Sequence, residues 1–81
     1  MPSRSELPGS VKKRKFIKAL EKNGFRINKK GGKGGHFKAT YKNEKAITLP
    51  SSNLEKYQLY YIVQEIERVT DVEWRDLKRY L

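Results

Sequence analysis

The chain has 81 residues, no cysteine, one histidine and a formal charge of +10, from nineteen Lys and Arg against nine Asp and Glu. That length holds one domain with a marginal core, and the lack of cysteine excludes a disulfide framework or a thiolate zinc site, while a single histidine makes a protein-only metal cage unexpected. The charge is segregated, +11 on residues 1–50 and −1 on residues 51–81, which points to a polyanionic partner, most often nucleic acid, more than to solubility alone.

Met1 to Gly9 combines Pro2, Pro8 and Gly9 with little to bury, so it reads as a flexible tail, with residues 10–81 forming a single domain. Ser10 is placed to cap a helix whose apolar side holds Phe16, Ile17 and Leu20, with Val11 and Ala19 nearby and lysines filling the remainder. Asn23-Gly24 should stop it, with glycine in the left-handed position. Phe25 to Lys30 alternates Phe25 and Ile27 with Arg26, Asn28 and Lys30, as a first strand with a basic polar face.

The stretch from Gly31 to Tyr41 holds four of the six glycines and the only histidine. Gly31, Gly32, Lys33, Gly34 and Gly35 form a loop whose backbone can approach a partner closely, with one cation at its centre. A second strand then runs from His36 to Tyr41, with His36, Lys38 and Thr40 on one face and Phe37, Ala39 and Tyr41 on the other. A turn over Lys42 to Lys45 leads to a third strand, Ala46 to Leu49, whose Ile47 and Leu49 face the core, and Pro50 ends the pairing.

Ser52 with Glu55 forms a capping-box pattern ahead of Leu59, Ile62, Val63, Ile66 and Val69, which repeat at helical spacing. Thr70 with Glu73 repeats the signature and predicts a break and a short third helix carrying Val72, Trp74, Leu77, Tyr80 and Leu81. The fold class is therefore α+β: a three-stranded antiparallel sheet with helices on one face, in the order αβββα, plus a short C-terminal helix. Its other face keeps Arg26, Asn28, Lys30, His36, Lys38, Thr40 and Thr48 around the glycine loop.

The loop does not complete a Walker A motif, since Gly34 follows Gly32-Lys33, nor a dinucleotide fingerprint, since Phe37 stands where the last glycine should be. A GxxG clamp of the KH kind joins two helices, whereas this loop joins two strands. Read for chemistry, Arg26, Lys30, Lys33 and Lys38 are candidates to hold phosphates, with the backbone N–H groups of Gly34 and Gly35 close by. His36 is a candidate for proton transfer, because an imidazole titrates near neutral pH; a plain RNA contact and an incidental surface histidine are the alternatives. Of Tyr57, Tyr60 and Tyr61, either Tyr60 or Tyr61 should rim the core, and Trp74 should anchor the last helix.

Taken together, LEKNGF (Leu20 to Phe25), the glycine-rich GKGGH (Gly32 to His36), ITLP (Ile47 to Pro50) and the closing amphipathic helix resemble the HicA family of bacterial and archaeal toxins, over about residues 11–69. The resemblance implies a double-stranded-RNA-binding-like fold and metal-independent cleavage of mRNA, with no cofactor and with His36 in the place of the family's key histidine. Gly35 stands where the family usually has Ser or Asp. It also implies an acidic HicB-type antitoxin, which would set carboxylates over Lys33 and Lys38 and bury His36. A noncatalytic RNA-binding module using the same surface is the alternative. No apolar run approaches the roughly 18 residues of a membrane helix and no signal-peptide core is present, so a soluble cytoplasmic protein is expected.

Overall fold

The computed structural model describes residues 4–28, 37–42, 44–50 and 52–81. Within them the chain forms a 3-10 turn at Arg4–Glu6, then β1 (Ser10–Val11), α1 (Lys13–Lys22), β2 (Phe25–Asn28), β3 (Phe37–Tyr41), β4 (Lys45–Leu49), β5 (Leu54–Glu55), α2 (Lys56–Val69) and α3 (Trp74–Lys78). In α1 the apolar spacing does what it should: Phe16, Ile17, Ala19 and Leu20 are buried while Arg14, Lys15, Lys18 and Lys22 stay in solvent. The helix stops at Asn23-Gly24 as expected, with Gly24 at φ 93°, a left-handed conformation that suits glycine.

Asn23 also ties two elements together. Its Nδ2 donates to the Ala19 carbonyl at 2.8 Å and to the Asp76 carbonyl at 3.1 Å, joining the end of α1 to α3. Asn23→Ala should therefore lower the unfolding free energy by about 1–2 kcal/mol, measured as a lower urea midpoint at unchanged slope.

Strands β2, β3 and β4 form an antiparallel sheet in that order. The register sets Phe25 opposite Tyr41, Ile27 opposite Ala39, Ala39 opposite Ile47 and Phe37 opposite Leu49. Because side chains alternate with period two, Phe25, Ile27, Ala39, Tyr41, Ile47 and Leu49 share one face. On that face Phe25, Ala39, Ile47 and Leu49 are buried, and Ile27 and Tyr41 pack against the core. The Phe25 and Tyr41 rings lie 4.9 Å apart, tilted by 43°. Helix α1 packs against β2 and α2 against β4, so both cover this face, while α3 packs on α1. The expected α+β architecture, with a three-stranded antiparallel sheet and a short C-terminal helix, is the one the chain adopts.

The helix starts differ from expectation, and the small sheet explains why. Strand β1 pairs antiparallel with β5, Val11 opposite Leu54, with both side chains buried. Ser10 is thereby held in a strand and does not cap α1; instead the Lys13 N–H donates to Asn53 Oδ1 at 3.1 Å, a partner forty positions away in sequence. The same pairing keeps the chain extended through Glu55, so α2 cannot begin at Ser52. Its capping box is Glu55 with Gln58, whose Oε1 accepts from the Glu55 N–H at 2.9 Å.

A parallel shift occurs at the second break. Thr70 closes α2 rather than opening α3: its hydroxyl donates to the Ile66 carbonyl at 2.7 Å and accepts from the Val72 N–H at 3.0 Å. The box of α3 is Glu73 with Asp76, and the Trp74 N–H donates to Glu67 Oε2 at 2.9 Å. Leu7, from a stretch expected to have little to bury, is 3% exposed and belongs to the core. Tyr60 packs against the core, whereas Tyr61 points to solvent. No helix among the described residues is long and apolar enough to cross a membrane.

Candidate nucleic-acid interface

The face of the sheet turned away from α1 and α2 is built from the alternate residues of the same three strands. One cross-strand row reads Arg26, Thr40, Ala46 and the next reads Asn28, Lys38, Thr48. Arg26, Asn28, Lys38, Ala46 and Thr48 are exposed, and Thr40 is half-buried. The cross-strand neighbours of the two cations are short and polar, Thr40 for Arg26 and Asn28 and Thr48 for Lys38, and Ala46 puts a single methyl group on the β4 edge. Arg26 faces Thr40 and Lys38 faces Asn28, so the two cations are diagonal neighbours rather than a direct pair, which avoids the cost of opposing like charges.

Among the described residues neither Arg26 nor Lys38 makes an ion pair. By contrast Glu65 pairs with Arg68 on α2, and Glu73 Oε1 with Arg75 Nε at 2.9 Å beside α3, which spends two of the cations of the C-terminal part within the fold. The described groups on this face are of the kinds that bind phosphate. Arginine supplies a planar fork of donors, lysine a point charge, and Asn28, Thr40 and Thr48 neutral hydrogen-bonding groups suited to sugar or phosphate oxygens.

Of the candidate site residues, Arg26 and Lys38 are brought to this one face. Lys30, Lys33, Gly34, Gly35 and His36 lie outside the described residues. So do the glycine loop as a whole and the expected extension of the first strand beyond Asn28. Sequence reasoning passed over Ala46, whose methyl opposite Thr40 keeps the β4 edge of the face low. The signal for it was available, since Ile47 and Leu49 facing the core require Ala46 and Thr48 to face away.

Among the described residues no group of three or more His, Asp or Glu side chains is arranged to hold a metal ion. Comparison of the chain with family models, with curated proteins and with solved structures finds no match in any of the three. The class is therefore set by fold and surface: an α+β domain in which helices cover one face of a three-stranded sheet and cations stand on the other.

Proposed function

We propose that the chain is a toxin-type endoribonuclease of the HicA kind, cutting mRNA in the cytoplasm through His36 without a metal ion. The observation that carries this reading is the sheet face turned away from α1 and α2, on which Arg26 and Lys38 stand exposed in a half of the chain with a net charge of +11. Phosphates of a single strand would be held by Arg26 and Lys38, together with Lys30 and Lys33 of the intervening segment. The His36 imidazole would take the proton of a ribose 2′-hydroxyl as that oxygen attacks the adjacent phosphorus. The bond from phosphorus to the 5′-oxygen breaks, and a proton returned by the imidazolium leaves a 5′-hydroxyl and a 2′,3′-cyclic phosphate. An acidic antitoxin of the HicB kind would inhibit by covering the same cations.

The test is cleavage of an RNA transcript by purified, nuclease-free protein with and without excess EDTA. Equal rates support the proposal, and loss of cleavage on chelation overturns it. Electrostatic binding has its own signature: in Arg26→Gln/Lys38→Gln, RNA binding should weaken about equally for all sequences. The slope of log affinity against log salt should become shallower by about 1.4, or 0.7 for each phosphate contact on a single strand.

One observation favours a second reading, a noncatalytic RNA-binding module. The described part of the face, with Arg26, Asn28, Lys38, Thr40 and Thr48, carries groups of the kinds that bind phosphate and sugar. Binding of RNA without strand scission by the wild-type chain would decide for this reading.

A further inference from the structure

A second charged surface lies elsewhere, built from β1, α1 and α3 and using no residue of the three-stranded sheet. It is a groove of about 450 Å³, within the roughly 300–1,000 Å³ of sites that enclose ligand-sized groups. Val11 and Trp74, 7% and 8% exposed, and the half-buried Leu81 give it an apolar floor, while the exposed Lys12, Lys15 and Lys78 line its rim. No acidic side chain lines it among the described residues.

We propose that this groove docks an acidic peptide segment of a partner protein, with an apolar side chain of the segment on the Val11–Trp74–Leu81 floor and its carboxylates against Lys12, Lys15 and Lys78. The proposal does not depend on the RNA reading above. Charge complementarity selects an anion, because three lysines line one opening and no carboxylate of the described residues does. The floor then selects between anions. Trp74 is 8% exposed, too little for the broad ring-face overlap by which stacking anchors single-stranded nucleic acid, and a phosphate backbone would leave the apolar floor wet. A peptide carrying both carboxylates and an aliphatic side chain satisfies rim and floor together, the aliphatic group being driven by burial and the carboxylates by attraction.

Trp74 is the only tryptophan of the chain, so its fluorescence reports directly on the groove. The full chain is titrated with a capped synthetic peptide of Glu, Asp and Leu, with the same peptide carrying Ser for Leu, and with a uridine oligonucleotide. Amide NMR shifts of Lys15 and Lys78 provide a second readout. The leucine peptide should change Trp74 emission saturably, and its Kd should rise at least about tenfold, or 1.4 kcal/mol, in Lys12→Glu/Lys15→Glu, a variant whose exposed substitutions leave the circular dichroism unchanged. The serine peptide should bind at least about tenfold more weakly as well, and the oligonucleotide should neither move the emission nor displace the peptide. The proposal is overturned by the absence of a saturable response in either readout up to about 1 mM peptide, by equal binding to the charge-reversed variant, or by an oligonucleotide that competes for the groove, which would assign it to RNA.

Discussion

Phe16→Ala should lower the thermal midpoint by more than about 12 °C, the largest stability loss expected from a single truncation among the described residues. Phe16 is 1% exposed and is the largest of the fully buried side chains among the described residues. It projects from α1 into the layer between helices and sheet, so its removal leaves a cavity that the surrounding elements cannot close without moving. Truncations of this kind cost about 3–5 kcal/mol, against a total of roughly 4–12 kcal/mol for a domain of this length. Lys18→Ala, on the solvent side of the same helix, is the control and should change stability by no more than about 0.5 kcal/mol. Thermal or urea unfolding followed by circular dichroism measures both. Equal effects of the two substitutions would contradict the placement of the core.

Much of this architecture is legible in the sequence because its periods are clean. Ile47 and Leu49 against Ala46 and Thr48 fix which face of β4 is inside, and that one assignment orients the other two strands through the register. Asn23-Gly24 stops α1 because a left-handed residue is needed there and glycine supplies it. What escaped are the features that depend on distant residues. Two-residue strands such as β1 and β5 carry no period, so the pairing of Val11 with Leu54 could not be read locally, and with it went the true start of both long helices. The capping signatures were present in the sequence, but each true cap was the third residue downstream, Glu55 for Ser52 and Glu73 for Thr70. Leu7 has no apolar neighbour to form a pattern, and its burial is a tertiary event.

The site shows the same division. Arg26 and Lys38 were assigned to the polar face by alternation alone, and they stand there exposed. The groove at Trp74 was not legible, because Lys12 and Lys15 meet Lys78 only through the packing of α3 on α1.

The second large effect concerns chemistry. His36→Ala should reduce RNA cleavage by about 10²–10⁴-fold, the range that a positioned general acid–base group contributes, while the dissociation constant for an uncleavable RNA stays within a few-fold of the wild type. The two should separate because the proposal assigns binding to the cations, above all Arg26 and Lys38, which the substitution leaves in place. Conversely, Arg26→Gln/Lys38→Gln should lose affinity first and cleavage only through it. Single-turnover cleavage at saturating protein makes the distinction, since saturation removes the binding term. A His36→Ala chain that cuts at the wild-type rate under those conditions would remove histidine from the mechanism and leave the RNA-binding module as the better reading. Expression in cells should follow the same order, with growth arrest caused by the wild type and relieved in His36→Ala.

The most direct measurement uses one oligonucleotide in two versions, all-ribose and with the 2′-hydroxyl replaced by hydrogen throughout, incubated with the purified wild-type chain and resolved by mass. The account expects the ribose version to be cut to fragments ending in a 2′,3′-cyclic phosphate and beginning with a 5′-hydroxyl, and the deoxy version to be bound but left intact. Cleavage of the deoxy version, or an intact ribose version under conditions where binding is saturated, would contradict it.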